Sequence, residues 1–177
     1  MKDIYVVFKG GDITGETTDA EHSKEKAIEV SSWKHEITQP KSSTASTAGG
    51  HSAERTEHGE MIFTKEIDTA SAKLWQACSA GSIYGDVIVY FYRALGGKNK
   101  TDENKNNRAN YLKIELKDVI VSSVTCNVAS GAELPTETFG LKYSGVKWTY
   151  SSAPVDGSAA KVAGTGSWNL KTNTVKV

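Results

Sequence analysis

The sequence predicts a mainly β fold, a closed or nearly closed antiparallel β-barrel, with one flanking α-helix at about 69–80 and a long extended loop at about 38–58. Three observations predict it. Strand-like runs recur at 3–9, 27–37, 60–67, 86–95, 110–128, 137–150 and 160–170, separated by turn clusters such as Gly10-Gly11-Asp12 and Gly96-Gly97-Lys98. One stretch alone carries a clear helical period. Two of the runs are longer than an ordinary strand and change apolar face midway, as strands do when they bend round a barrel. At 177 residues the chain is the size of one domain, 1–177, with enough material for a sizeable core.

The elements follow in order. DIYVVFK at 3–9 is a first strand; its apolar run ends at Phe8 without a small-residue cleavage site, so no signal peptide is expected. Residues 37–58 carry Ser, Thr, Gly and Ala without an apolar period, too long a stretch for a passive connection. HGEMIFTKEIDTASAKLWQACSAG at 58–81 then changes period in its middle. Up to Ile67 it alternates; beyond, Ala70, Leu74, Ala77 and Cys78 share one helix side. Asp68 is placed to cap the start, Ser71 lies in the first turn, and Gly81 stands just past the end.

DVIVYFYRAL at 86–95 is apolar at nearly every position, so either both its faces are covered or one belongs to a partner. The helix is the expected cover, which makes it a brace with Asp68, Leu74 and Ala77 as its bracing residues. In 110–128 the apolar face passes from Leu112, Ile114 and Leu116 to Val119 and Val121, and in 137–150 from Phe139, Leu141 and Tyr143 to Val146, Trp148 and Tyr150. Inserted residues near Asp118 and near Ser144-Gly145 would produce both switches. Residues 96–108 read as a solvated hairpin tip, where Asn99-Lys100-Thr101 spells a glycosylation sequon without a leader to give it meaning.

Composition excludes several function classes. With 21 basic and 21 acidic residues, the formal charge is zero, and an electrostatic grip on nucleic acid or an anionic membrane is not expected. No run is long enough for a membrane-spanning helix. The two cysteines, Cys78 and Cys126, lie in apolar patterns and read as free thiols. GGDITGE at 10–16 lacks the Lys-Ser/Thr end and the following helix of a phosphate loop. His51, Glu54, Glu57 and His58 lack a spacing that would fix metal ligands. His22 and His35 have no nucleophile or acid at a recognised spacing, so catalytic, cofactor and metal residues are all expected to be absent. Trp33, Trp75, Trp148 and Trp168, with Tyr5, Tyr90, Tyr92, Tyr111, Tyr143 and Tyr150, are mostly strand residues among apolar neighbours and read as core or interface.

The order of these motifs resembles the haemolysin-coregulated protein (Hcp) family, the tube proteins of the type VI secretion system. The resemblance runs nearly end to end: DIYVVFKGGDITGE followed by His22, IEVSSWKHEITQP at 28–40, FTKEIDTASAKLWQACSAG at 63–81, LKIELKDVIVSSV at 112–124, GLKYSGVKWTY at 140–150 and GSWNLKTNT at 166–174. It implies a structural, non-enzymatic subunit: six copies in a ring, rings stacked into a hollow tube, a spike protein at the tip, a contractile sheath outside and small effectors in the lumen. It also implies a bacterial cytoplasmic phase, followed by export to the medium or a target cell without a cleaved leader. On that footing the extended loop, through Gln39, Lys41, Gly49, Gly50, His51, Glu54 and Arg55, is expected to carry ring-to-ring stacking. Ser123, Thr125 and Asn127, which share one face of their strand, are expected to line the lumen. A β-barrel carbohydrate-binding module is the alternative, and it would need several aromatic side chains exposed in one row.

Overall fold

The computed structural model describes residues 3–40, 55–94, 108–128, 134–152 and 161–177. Among these residues eleven strands and one helix succeed one another: β1 (Asp3–Lys9), β2 (Ile28–Val30), β3 (Ser32–Lys34), β4 (Ile37–Thr38), β5 (Glu57–His58), β6 (Met61–Glu66), α1 (Ser71–Ala80), β7 (Ile83–Ala94), β8 (Arg108–Asn127), β9 (Thr136–Lys142), β10 (Gly145–Ser152) and β11 (Lys161–Asn169). Among the described residues every ladder is antiparallel, a pairing that needs no helical crossover. The main sheet runs β2-β1-β7-β8-β9-β6-β3, with β10 on β8 and β11 on β10, while β4 and β5 form a separate ribbon.

The run expected as one strand at 27–37 is three short ones. β2 pairs with β1 and β3 pairs with β6, with only Ser31 between them. Ser31 bridges to β6 itself, both its N–H and its hydroxyl donating to Thr64 O at 2.8 and 3.0 Å. The ladder path is therefore open, with β2 and β3 at its two ends, and the closed ladder expected from the sequence is not observed among the described residues.

The 20 residues of β8 pair with β7 along one edge and with β10 and then β9 along the other. The switch of apolar face is real, but its cause differs from an inserted residue. Lys117 faces Gly145 and Ile120 faces Lys142, so both strands take the same number of steps across the switch. Asp118 instead adopts a left-handed φ of 47°, and Ser144 holds it there, with N–H to Lys117 O at 2.9 Å and hydroxyl to Asp118 Oδ2 at 2.7 Å. The two strands thus kink together, and 137–150 becomes β9 and β10. A true bulge lies further on, at Ser122, where Val121 and Ser123 pair with the consecutive residues Leu141 and Gly140.

The main core gathers the inner faces of these strands, including Val6, Ile28, Phe63, Val89, Ile114, Val121, Phe139 and Leu141. Leu74 and Ala77 of α1 belong to this same core, and α1 lies against β8. The helix is therefore not the cover of the outer face of β7. That face carries Tyr90 and Tyr92, and the turns at 19–27 cover it instead. His22, buried there, sits with its ring 4.6 Å from Tyr5 and 4.8 Å from Tyr90, and its Nε2 lies 2.8 Å from the Tyr92 hydroxyl. Arg108 closes the cluster over the Tyr92 ring at 4.4 Å and pairs with Asp19 at 2.6 Å. The turns approach this tightly because position 15 is glycine: a Cβ there would lie 2.2 Å from Ala27 O.

Candidate functional site

Three assemblies of side chains stand out, and each is positioned by register. The first is a polar sheet face. Ser32 pairs with Thr64, Thr64 with Thr138, and Thr138 with Thr125, so one row of hydroxyl residues crosses β3, β6, β9 and β8. The Thr64 and Thr138 hydroxyls are 3.2 Å apart. Flanking rows place Ile62, Gly140 and Ser123 on one side and Glu66, Thr136 and Asn127 on the other. Ser123 donates to Glu60 Oε2 at 3.1 Å, and a Cβ at Gly140 would meet Ser123 Oγ at 2.5 Å, so glycine keeps this row close. Thr125 and Asn127 are exposed and Ser123 half-buried. Sequence parity placed these three on one strand face; the residues beside them on three other strands required the ladder.

The second assembly is buried beneath that face, at the start of the helix. Lys65 and Glu137 carry fully buried side chains, with Lys65 Nζ 2.8 Å from Glu137 Oε1 and 2.7 Å from Asp68 Oδ1. Lys65 also donates to Glu66 O at 2.7 Å, the Ser71 hydroxyl donates to Glu137 Oε1 at 2.6 Å, and the Trp75 indole donates to Glu137 Oε2 at 2.7 Å. Burial alone would raise the Glu137 carboxyl; the donors from Lys65, Ser71 and Trp75 outweigh it and hold the group below its ordinary value. Asp68 is not the residue flanking the helix, a place taken by Ala70. It acts one turn earlier, its carboxylate accepting the Ala70 N–H at 2.8 Å while its own N–H donates to Ser71 Oγ at 3.0 Å. Gly81 ends the helix in the left-handed conformation at φ 63°, donating to Ala77 O. Lys65 and Glu137 escaped the sequence reading, although Lys65 is in phase with Met61 and Phe63, and Glu137 with Phe139 and Leu141.

The third assembly roots the extended loop. The β4–β5 ribbon pairs Ile37 with His58 and Thr38 with Glu57, and Gly59 N–H donates to Glu36 O at 2.9 Å. Tyr143, at the kink between β9 and β10, places its hydroxyl 2.7 Å from His58 Nδ1 and 2.8 Å from His35 Nε2. Arg55 reaches across to donate to Leu170 O, and Gln39 is exposed. Lys41, Gly49, Gly50, His51 and Glu54 lie outside the described residues, as does the sequon at 99–101.

The remaining aromatic side chains do not make a platform. Among the Trp and Tyr residues only Trp75 and Tyr150 are exposed, one on α1 and the other on β10. Among the described residues no group of three or more His, Cys, Asp or Glu could hold a metal ion, and Cys78 and Cys126 are free. No helix among the described residues is long and apolar enough to cross a membrane.

With the ladder and these assemblies in place, the chain can be set beside known proteins. Residues 5–150 match the family described as "Type VI secretion system effector, Hcp". The chain belongs to the Hcp family. Its sequence is 32% identical over 170 residues to Protein hcp1 of Pseudomonas aeruginosa, spanning 96% of this chain and 97% of that protein. Among solved structures, one described as a type six secretion system protein superposes with a TM-score of 0.83 at 26% identity, over 99% of this chain and 100% of that one. Hcp1 of Salmonella typhimurium superposes with a TM-score of 0.67 at 25% identity, over 98% and 97% of the two chains. Hcp proteins are secreted structural tube proteins of type VI secretion, not enzymes. The antiparallel β architecture with one short helix is that of the Hcp fold.

Proposed function

We propose that this Hcp-family chain is the subunit of a type VI secretion tube, six copies closing into a ring and rings stacking into a hollow conduit. A spike protein would cap the tip, a contractile sheath would drive the tube out, and small effector proteins would ride in the lumen. In this reading the subunit waits in the bacterial cytoplasm and leaves the cell without a cleaved leader. The observation that carries it is the four-strand polar face through Ser32, Thr64, Thr138 and Thr125. The side chains of that row are short and neutral, with Lys34, Glu60 and Glu66 only at its flanks, and suit a wall past which different cargoes slide.

Ring closure needs two unlike surfaces on each subunit. The polar layer supplies candidates at both ends: β8 leaves β7 beyond Ile120, so Val121–Asn127 has no strand on that side, and β3 pairs with β6 alone, among the described residues. Exposed strand edges of this kind invite pairing with another chain. The doubly apolar β7 contributes less to this reading than its sequence suggested, because His22 and the turns at 19–27 already cover its outer face. Within the subunit, β2 and β3 on either side of Ser31 hold the two ends of the path, which supports a barrel closed by one segment. The network around Lys65 supports α1 as a brace on it, through Asp68, Leu74 and Ala77.

Native mass tests the ring: six subunits are expected, and a monomer at micromolar concentration overturns the proposal. Thr125→Arg separates ring from lumen. The variant is expected to keep the native mass while losing co-purified effector, and undiminished cargo would remove Thr125 from the lumen wall.

Stacking is proposed for the 38–58 loop, with Gln39, Lys41, Gly49, Gly50, His51, Glu54 and Arg55 as its contacts. The ribbon of β4 and β5 that roots it, and the tether from Arg55 to Leu170 O, support a loop aimed from a fixed base. Replacing residues 42–53 by a short Gly-Ser linker is expected to leave rings intact in solution and abolish tubes in concentrated samples. Unimpaired tubes would place the stacking surface elsewhere.

A further inference from the structure

We propose that His35, Tyr143 and His58 form an acid-sensitive latch that fastens the β4–β5 ribbon to the kink between β9 and β10. One hydroxyl serves two imidazoles: Tyr143 Oη lies 2.7 Å from His58 Nδ1 and 2.8 Å from His35 Nε2. With both rings neutral, the hydroxyl donates its proton to one ring nitrogen and accepts an N–H from the other, and the relay is complete. With both rings protonated, each nitrogen is a donor, both point at the same oxygen, and the hydroxyl proton loses its acceptor. The two charges would then sit with ring centroids 6.1 Å apart, with the Trp148 ring 6.3 Å from His58 and the Trp33 ring 6.4 Å from His35.

The surroundings offer little to offset that repulsion. Glu36 and Glu57 neighbour the histidines in the chain but are exposed. Glu60 accepts the Ser123 hydroxyl and lies 3.8 Å from Lys142, while Glu115 lies 3.7 Å from Lys147. Lys34 precedes His35 in the chain and is exposed. Burial holds His35 and His58 below the ordinary histidine value of 6.5, and His58 pushes His35 down further. For bases whose folded values are lowered, the unfolded or opened state binds more protons. The stability of the latch is thus fully present above about pH 6.5 and is lost as pH falls from there through the folded values.

The consequence for assembly rests on the proposed stacking role of the 38–58 loop: tubes that hold near neutral pH would come apart in an acidic compartment when the root of that loop lets go. Two readouts keep the parts separable. Amide exchange of the assembled protein, corrected for the intrinsic pH dependence, is followed at Thr38, Glu57 and Gly59, the amides that bond across the ribbon, with β7 and β8 as internal reference. Protection at these amides is expected to fall at least tenfold between pH 7.5 and 5.0 while the reference holds, and unchanged protection overturns the latch. His58→Gln, which keeps a hydrogen-bonding side chain but cannot charge, is expected to cut the fall below threefold; a full tenfold fall in the variant overturns it as well. If His58→Gln loses reference protection at pH 7.5, His35→Gln takes its place under the same criteria. Tube length by electron microscopy is the second readout. A ribbon that opens while tubes persist supports the latch and refutes loop-mediated stacking; tubes that dissolve over a closed ribbon overturn the latch.

Discussion

Lys65→Ala is expected to destabilise the protein by about 3–5 kcal/mol, the range for breaking a buried ion pair from one side. The reason lies in what remains. Glu137, only 1% exposed, would keep the Ser71 hydroxyl and the Trp75 indole as donors but lose the ammonium 2.8 Å from its Oε1. A carboxylate without a counter-charge in that position either stays ionised at high cost or takes up a proton. Denaturant unfolding at neutral pH measures the loss, and a cost below about 1 kcal/mol would show that water reaches the pair. The double variant Lys65→Met, Glu137→Leu is expected to recover part of the stability, because the fully buried carboxylate is gone and only the partly exposed Asp68, 2.7 Å from Lys65 Nζ, is left without its partner. In the unmodified protein the same carboxylate sets an acid limit. Its folded value is lowered, so its contribution is fully present above the ordinary 4.5 and is lost as pH falls from there through the folded value.

Leu74→Ala is expected to cost about 2–5 kcal/mol, by lost transfer energy plus the cavity left behind. Leu74 is fully buried in the main core, on a helix held at one end by the Lys65 network and stopped at the other by Gly81. Neither anchor lets α1 slide into the space. Thermal or urea unfolding measures it, and a change below about 0.5 kcal/mol would mean that the helix does not brace the sheet. The neighbouring exposed position Gln76→Ala is the control and should fall within that margin.

Local pattern made much of this architecture legible. The helix was readable because Leu74 and Ala77 fall on one side and Gly81 punctuates the end, all within a dozen residues. β1 was readable as a short apolar run, β6 from alternation, and the face switch at Asp118 from the sequence alone. Its mechanism was not, because an inserted residue and a left-handed one flip the same side chains; only the equal count from Lys117 to Ile120 and from Gly145 to Lys142 separates them. The cover of β7 was misassigned for a related reason. The segment at 19–27 is polar by composition, and its apolar contribution rests on Ala27 and the ring of His22, which carry no periodic signal. The Lys65–Glu137 pair joins strands 72 positions apart. Each residue alone reads as a charge on a strand, and their parity with apolar neighbours is the one sign that both point inward.

β1 cannot complete its sheet early in the life of the chain. Asp3 pairs with Tyr92 and Lys9 with Asp86, so the first strand made must wait for the seventh. At ribosomal speeds of about 5–20 residues per second, that wait lasts roughly 5–20 s. Until then β2 can cover only one edge, at Ile4–Val6, and Ile4, Tyr5, Val6, Val7 and Phe8 keep the other edge open in a short, uncharged, strand-prone segment of the kind that seeds aggregation. Asp3 and Lys9 bracket it. In the finished fold their ion pairs, to Arg108 at 3.4 Å and to Glu25, lie near the surface, where such pairs add little stability. On the nascent chain the same two charges are gatekeepers, keeping an unfinished strand from pairing with another copy until its proper neighbour has been synthesised.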